Sequence, residues 1–267
     1  MNRKTILITG ATEGIGKLAA TDLAKQFKDA SILIHGRNKE KLEKTSGQIK
    51  EYTGNGNIQI FLADFSALEE VRKMSKEILA EHDSLDILIN NAGAGFAAPR
   101  LGKDGTETRF TVNYLAPFLL THLLLPVIQK PVSSRIINVA SAGQSPIHFD
   151  DIMMDKNFDG VTAYTRSKLA IIMFTFDLAE NLKTVTANCL HPGTYLDTGM
   201  VREAGIHPLG SAQSGADALV YLAISPGLKN ISGKYFNVKT EARANAQAYD
   251  VNARRKLEKI GLQLTGL

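Results

Sequence analysis

Tyr164-Thr165-Arg166-Ser167-Lys168 holds the pair of side chains best placed to do chemistry. On a helix, residues four apart share one face, so this spacing sets an ammonium beside a phenol. A nearby positive charge favours the phenolate and lowers a pKa that ordinarily lies near 10. Tyr164 would then act as both acid and base near neutral pH. Plain surface helices carry the same spacing, so the pair means something only if the chain also supplies a cofactor and a pocket.

The elements needed to position such a pair can be read along the chain. Thr5 to Ile8 is a short β-rich run that stops at Thr9-Gly10. Gly10-Ala11-Thr12-Glu13-Gly14-Ile15-Gly16 comes next, then apolar residues at helical spacing from Leu18 to Phe27. Strand, glycine loop and helix form the context of a phosphate-binding turn. Glycines let the backbone approach a pyrophosphate, and the helix start offers free N–H groups. The spacing is Gly-x-x-x-Gly-x-Gly, which differs from the longer dinucleotide fingerprint; a plain glycine-rich turn is the alternative.

Ser31 to His35 forms a second strand, ending in Gly36-Arg37-Asn38 before a charged helix from Lys39 to about Tyr52. In such folds an acid at this position meets a ribose 2′-hydroxyl, and an arginine accommodates a 2′-phosphate. Arg37 has no acid beside it, so NADP is favoured, with NAD as the alternative. A third strand, Asn57 to Leu62, leads to Asp64, which would cap the next helix (67 to 82), accept from an adenine amino group, or both. A fourth, Leu85 to Ile89, leads to Asn90-Asn91-Ala92-Gly93, whose small residues leave room for a ligand.

Thr106 to about Ile128 is expected as one long helix with Pro117 inside it. Proline lacks the N–H that would bond the carbonyl four residues earlier. That carbonyl belongs to Asn113, leaving an acceptor suited to a water. Arg135 to Ala140 is a fifth strand leading to Ser141. The Tyr164 helix runs to about Leu182, and a sixth strand from Thr184 ends at His191-Pro192-Gly193-Thr194. A helix over 213–224, a strand over 234–238 and a tail of weak helical periodicity over 249–264 complete the pattern. Residues 142–160 and 194–212 are expected as substrate loops, with Ile147, Phe149, Met153, Tyr195 and Met200 lining an apolar pocket or packing the loops down.

This alternation predicts an α/β fold: a single domain over 1–267, doubly wound and Rossmann-like, with a parallel sheet and helices on both faces. Thr9, Arg37, Asp64, Asn91, Ser141 and His191 all fall at strand carboxyl ends, where such sheets bind ligands. The composition is ordinary for a globular protein: 44% hydrophobic, with 31 basic and 27 acidic residues. No basic run suggests nucleic acid, no apolar run is expected to span a membrane, and no cysteine cluster suggests a metal. The one cysteine, Cys189, is expected as a buried thiol in a reducing, cytoplasmic setting.

With these residues in view, the chain resembles the short-chain dehydrogenase/reductase family over nearly its whole length. The likeness rests on Thr9 to Gly16, Asn90-Asn91-Ala92-Gly93, Asn113, Ser141, Tyr164-x-x-x-Lys168 and Pro192-Gly193. It is closest to the retinol-dehydrogenase-type branch, through Val112-Asn113-Tyr114-Leu115, Phe118 to Thr121, His191-Pro192-Gly193 and Ser232 to Phe236. The resemblance implies a carbonyl/alcohol oxidoreductase with Tyr164 as acid/base, Lys168 lowering its pKa and bonding the nicotinamide ribose, and Ser141 bonding the reacting oxygen. It makes Asn113 the holder of a relay water. It implies cofactor contacts at Gly10, Thr12, Ile15, Asp64, Phe65, Asn91 and Ala92. Glu13, Gly14, Gly16, Gly93, Pro192, Gly193 and Thr194 complete the expected site, with Thr198 an alternative to Thr194. Glu13 stands where some NADP-preferring members carry a basic residue. The substrate implied is a small molecule of lipophilic character, and the assembly is left open between homodimer and homotetramer. A non-catalytic nucleotide sensor or scaffold and an epimerase or dehydratase are the alternative functions on this fold.

Overall fold

The computed structural model describes residues 3–267; Met1 and Asn2, the start of the expected domain, lie outside the described residues. The alternation begins with β1 (Thr5–Ile8), α1 (Gly14–Gln26), β2 (Ser31–Gly36) and α2 (Lys39–Thr53). It continues through β3 (Ile58–Leu62), α3 (Leu68–Glu81) and β4 (Ile87–Asn90). After a loop come α4 (Thr108–Phe110), a π-helical turn (Thr111–Leu115) and α5 (Ala116–Ile128). Then come β5 (Ser134–Val139), α6 (Gly160–Asn181), β6 (Val185–His191), α7 (Gly199–Glu203) and α8 (Ala212–Ile224). β7 (Lys234–Asn237), β8 (Thr240–Ala242) and α9 (Val251–Thr265) complete the described chain.

The strands form one sheet in the order β3-β2-β1-β4-β5-β6-β7-β8. Neighbours pair in parallel up to β7, and only the β7–β8 hairpin is antiparallel. The strand order reverses between β1 and β4, which opens a crevice above their carboxyl ends.

Successive strand side chains point to opposite faces, so β1 feeds two separate cores. Ile6 and Ile8 pack with Leu23 of α1, Leu42 of α2 and Leu219 of α8. Leu7 packs on the other face with Met74 of α3, Leu119 of α5 and Ile172 of α6. Each fully buried aliphatic side chain of this kind is worth about 1.5–3 kcal/mol of transfer free energy. Helix ends are set by local chemistry. The Asn38 side chain accepts from the Lys41 N–H at 2.9 Å and Asp159 from the Thr162 N–H at 2.8 Å. Gly54, with φ of +73°, closes α2 in the left-handed conformation.

Two expectations need correction. The stretch expected as one helix from Thr106 starts at Thr108 and passes through the π turn before α5. Its 21 residues from Thr108 to Ile128 are also long and apolar enough, by length and composition, to cross a membrane, although no such run is expected from the sequence. Here the stretch lies mostly buried within the protein. The tail, expected with weak helical periodicity, does form a helix, α9. Asp250 caps α9, and Arg254 reaches Asp177 at 3.2 Å and Glu180 at 2.6 Å on α6.

Candidate active site

The glycine turn after β1 is built for close backbone approach. Gly10 and Gly14 have φ of +64° and +55°, a region costly for residues with a Cβ. A Cβ on Gly16 would stand 2.3 Å from the Gly10 carbonyl oxygen and 2.4 Å from Asn91 Nδ2. No side chain caps α1 at its N-cap, Glu13, so the first-turn N–H groups are left for an anion. These features fit a dinucleotide pyrophosphate. The turn is braced from β4: Thr9 Oγ1 accepts from the N–H groups of Asn91 (2.9 Å) and Ala92 (3.0 Å). Asn91 Nδ2 donates to the Thr9 and Gly10 carbonyls, both at 2.9 Å.

His35, the last side chain of β2, ties this turn to the next strand end. Its Nδ1 accepts from the Gly10 N–H at 3.2 Å, and its Nε2 lies 3.0 Å from the Ala63 carbonyl. Those partners require a neutral ring that donates from Nε2. Burial drives its pKa from 6.5 down to about 4, although the Ala63 carbonyl and Asp64 pull it up. Phe65 stacks on the ring at 4.0 Å.

Arg37 is exposed one residue past β2. Glu13 turns away from α1 and pairs with Lys41 of α2 at 3.0 Å. Asp64 does not cap α3, whose N-cap is Ala67; it accepts instead from the Ser66 N–H (3.0 Å) and hydroxyl (2.8 Å). Burial pushes the Asp64 carboxyl up, but the Ser66 bonds and Lys103, at 3.3 Å, outweigh it and leave the carboxyl below its ordinary range.

Asn113 sits in the π turn and is buried. Its Oδ1 accepts from the Ala94 N–H at 2.8 Å, and its Nδ2 donates to the Ala94 carbonyl (3.0 Å) and Ser167 Oγ (2.9 Å). The π register comes from the Ala116 N–H bonding Thr111, five residues back. Pro117 has no N–H to offer the Val112 or Asn113 carbonyls. The expectation of a proline-disrupted helix at Asn113 therefore has a specific form, a single π turn.

Tyr164 and Lys168 lie on the first turns of α6, facing the end of β5. Ser141 stands just past β5, on the side of the Tyr164 hydroxyl. Burial raises the Tyr164 pKa, and Ser141 only opposes the rise. The lowering expected from Lys168 is absent in the protein alone. The Lys168 ammonium donates to the Val139 carbonyl at 2.9 Å and lies 5.7 Å from the Tyr164 ring centroid. Burial lowers its own pKa from 10.5 to about 8. At the end of β6, His191 Nε2 lies 3.0 Å from Thr194 Oγ1, and burial together with Lys168 lowers the imidazole pKa. Pro192 is buried and Gly193 has φ of +140°. Gly93 marks the meeting point: a Cβ there would stand 3.3 Å from Asn113 Oδ1, 3.6 Å from Met200 Cε and 3.7 Å from Lys168 Nζ.

Thr12, Gly14, Ile15 and Phe65 thus lie along one side of the crevice with Arg37 and Asp64, and Asn113, Ser141, Tyr164 and Lys168 along the other. The apolar residues divide. Ile147 is buried in the core, with its N–H bonded to Gln247 Oε1 at 2.6 Å, and Phe149 and Met153 pack against that core. Tyr195 is exposed. Met200 lies over Gly93 and Gly95, and Phe96 meets the Tyr164 ring edge-on at 5.9 Å. His35, Lys41 and Phe96 are not singled out by the sequence. A polar residue closing an otherwise apolar strand, Ile32-Leu33-Ile34-His35, is the signal that could have found the first.

A family model described as short chain dehydrogenase matches residues 4–208. Retinol dehydrogenase 13 of Mus musculus is 35% identical over a 284-residue alignment that covers 99% of this chain and 84% of the relative. Among solved structures, an uncharacterized protein from Mycobacterium paratuberculosis is similar with a TM-score of 0.80 at 26% identity, over 98% of this chain and 93% of that one. A short chain dehydrogenase from Escherichia coli, complexed with NADPH, has a TM-score of 0.71 at 27% identity, over 90% and 98%.

Proposed function

Since the chain belongs to the short-chain dehydrogenase family, in its retinol-dehydrogenase-type branch, and is thereby an NAD(P)-dependent oxidoreductase acting on CH–OH groups of small molecules, we propose that it interconverts a lipophilic carbonyl and its alcohol with NADP(H). The observation that carries this reading is that Asn113 and Lys168 meet at Gly93, with Tyr164 beside Lys168 and Ser141 on the side of the Tyr164 hydroxyl. In this reading residues 1–267 work as one oxidoreductase domain, with 142–160 and 194–212 as its substrate loops. The buried thiol of Cys189, pushed up to about 12 by burial, suits the reducing cytoplasm.

When bound, the nicotinamide supplies or accepts the hydride. The protein handles the proton. A Tyr164 phenol whose pKa is raised by burial is protonated at neutral pH, which suits a donor to a carbonyl oxygen. Ser141 bonds the same oxygen and stabilises charge as it develops there. Lys168, protonated below about pH 8, faces the Tyr164 ring and favours the phenolate once the proton has left. The Asn113 carbonyl, for which Pro117 offers no N–H, holds a water that returns a proton towards Lys168. Gly10, Thr12, Gly14, Ile15 and Gly16 hold the pyrophosphate side of the cofactor. Asp64, Phe65, Asn91 and Ala92 hold its adenosine side, and Pro192, Gly193 and Thr194 the carboxamide. Arg37 takes the 2′-phosphate, supported by the Escherichia coli relative's NADPH complex. Phe96 and Met200 give the pocket its apolar character.

The test is a panel of aldehydes, ketones and alcohols assayed with both NADPH and NADH. Turnover favouring NADPH and lipophilic carbonyls is expected. Tight NADPH binding with no turnover of any member would return the scaffold alternative, and transformation without net NADPH use would favour an epimerase.

A further inference from the structure

Arg109 is the most deeply buried charged side chain beside the site, and the oxidoreductase mechanism gives it no task. It is 1% exposed, and its partner Glu107 is 2% exposed. The pair is joined at 2.9 Å. Glu107 is also fixed from α4, where its other carboxylate oxygen accepts from the Phe110 N–H at 2.6 Å. What distinguishes Arg109 is where its other Nη donors go, since its buried Nε has no hydrogen-bond partner among the described residues. Nη2 donates to the carbonyls of Phe96, at 2.8 Å, and Ala98, and Nη1 to that of Pro99 at 3.1 Å. One guanidinium thus satisfies three backbone carbonyls of a loop with no regular structure, which would otherwise be costly to bury.

The other face of the guanidinium meets the second loop. The Phe158 ring lies 5.2 Å from Arg109 Cζ. The start of α6 closes in so tightly that a Cβ on Gly160 would stand 2.6 Å from the Phe96 carbonyl oxygen and 3.4 Å from Arg109 Nη2. Arg109 therefore clamps the loop after β4 to the loop that leads into α6. The side chain held at that junction is Phe96, edge-on to Tyr164 at 5.9 Å. A buried ion pair is a poor means of gaining stability, since an apolar replacement of similar size often does as well. A planar fork of fixed geometry does set positions that an apolar group cannot.

We propose that Phe96 is a substrate-contacting residue that selects for apolar bulk on the chain carried by the reacting carbon, and that Arg109, through the Phe96, Ala98 and Pro99 carbonyls, is the positioning residue that holds it against Tyr164. This rests on the oxidoreductase reading. It adds to that reading a determinant of which carbonyl compounds are preferred.

The experiment uses the full chain with Phe96→Ala, Arg109→Met and Arg109→Lys, and NADPH-dependent reduction of a series running from propanal to decanal and benzaldehyde. KM and kcat are separated for each aldehyde, with NADPH affinity measured by fluorescence quenching. Phe96→Ala should raise KM about tenfold or more for decanal and benzaldehyde and leave propanal and NADPH affinity nearly unchanged. Arg109→Met should show the same pattern, with partial rescue in Arg109→Lys. A uniform fall in kcat across the series at unchanged KM would mark a merely structural role and overturn the proposal, as would unchanged selectivity in Phe96→Ala, a variant with little core to lose. A second readout is independent of turnover. In protein labelled with 13C at tyrosine Cζ, Phe96→Ala and Arg109→Met should both move the Tyr164 resonance, assigned through Tyr164→Phe. Absence of that movement would overturn the clamp. Absence of wild-type turnover with every aldehyde would instead count against the oxidoreductase reading, with the resonance still deciding the clamp.

Discussion

Asn113 Nδ2 donates to Ser167 Oγ at 2.9 Å and so joins the π turn to the helix that carries Tyr164 and Lys168. Ser167 Oγ in turn donates to the Tyr164 carbonyl at 2.7 Å. The same Asn113 side chain grips both backbone polar groups of Ala94. One amide thus fixes the loop after Gly93 and the helix that carries Tyr164 and Lys168 relative to each other.

Asn113→Leu should therefore affect both stability and rate. It strands the Ala94 N–H and carbonyl, and each buried group left unpaired costs about 1–3 kcal/mol. Urea unfolding should show a loss of about 2–5 kcal/mol, and kcat should fall at substrate saturation. Unfolding at the wild-type urea midpoint would contradict this role for the side chain.

The proposed preference for NADPH is tested at three exposed side chains, Arg37, Lys41 and Glu13. Arg37 has no carboxylate partner among the described residues, whereas Lys41 is held by Glu13 at 3.0 Å. Arg37→Asp should lower the NADPH/NADH ratio of kcat/KM by about 10- to 100-fold, the worth of one charge-assisted contact. Glu13→Gln should shift the ratio the other way, by freeing Lys41 near the same position. If neither variant moves the ratio, Arg37 does not select the cofactor.

How much of the fold and the site is legible in the sequence depends on the range of the interactions. The strands, the flanking helices and the chemistry-bearing strand ends come from short-range periodicity and glycine placement. For that reason Gly10, Asn91, Ser141 and Tyr164 fall where their spacing predicts. The π turn is partly legible, since Pro117 announces a missing N–H but does not say which register absorbs it. His35 and Arg109 are not legible, because their partners lie far along the chain or in an irregular loop: Gly10 and Ala63 for one, the Phe96, Ala98 and Pro99 carbonyls for the other. Asp64 reads as a cap because its type and position suit one, but Ser66, two residues on, offers it closer donors. Strand β8 has only three residues, too few for a period to show.

His35 gives the fold a specific acid sensitivity. Its folded pKa of about 4 lies below the ordinary 6.5, so between those values the unfolded chain binds more protons than the folded one. Stability from this group is complete above about pH 6.5 and is lost as pH falls towards 4. The whole interval is worth about 3 kcal/mol at 1.36 kcal/mol per pH unit. His35→Gln, which keeps a donor and an acceptor but does not titrate, should flatten this part of the stability–pH curve measured by urea unfolding. An equal slope in wild type and variant would show that His35 does not cause it.

Tyr164→Phe, compared with wild type for aldehyde reduction and for NADPH binding, tests the central claim most directly. The variant removes the Tyr164 hydroxyl and leaves the ring against Phe96 in place. If Tyr164 is the acid, kcat/KM falls about 10²- to 10⁴-fold, the range of general acid catalysis, while NADPH affinity stays within about twofold. Turnover near the wild-type rate would contradict it.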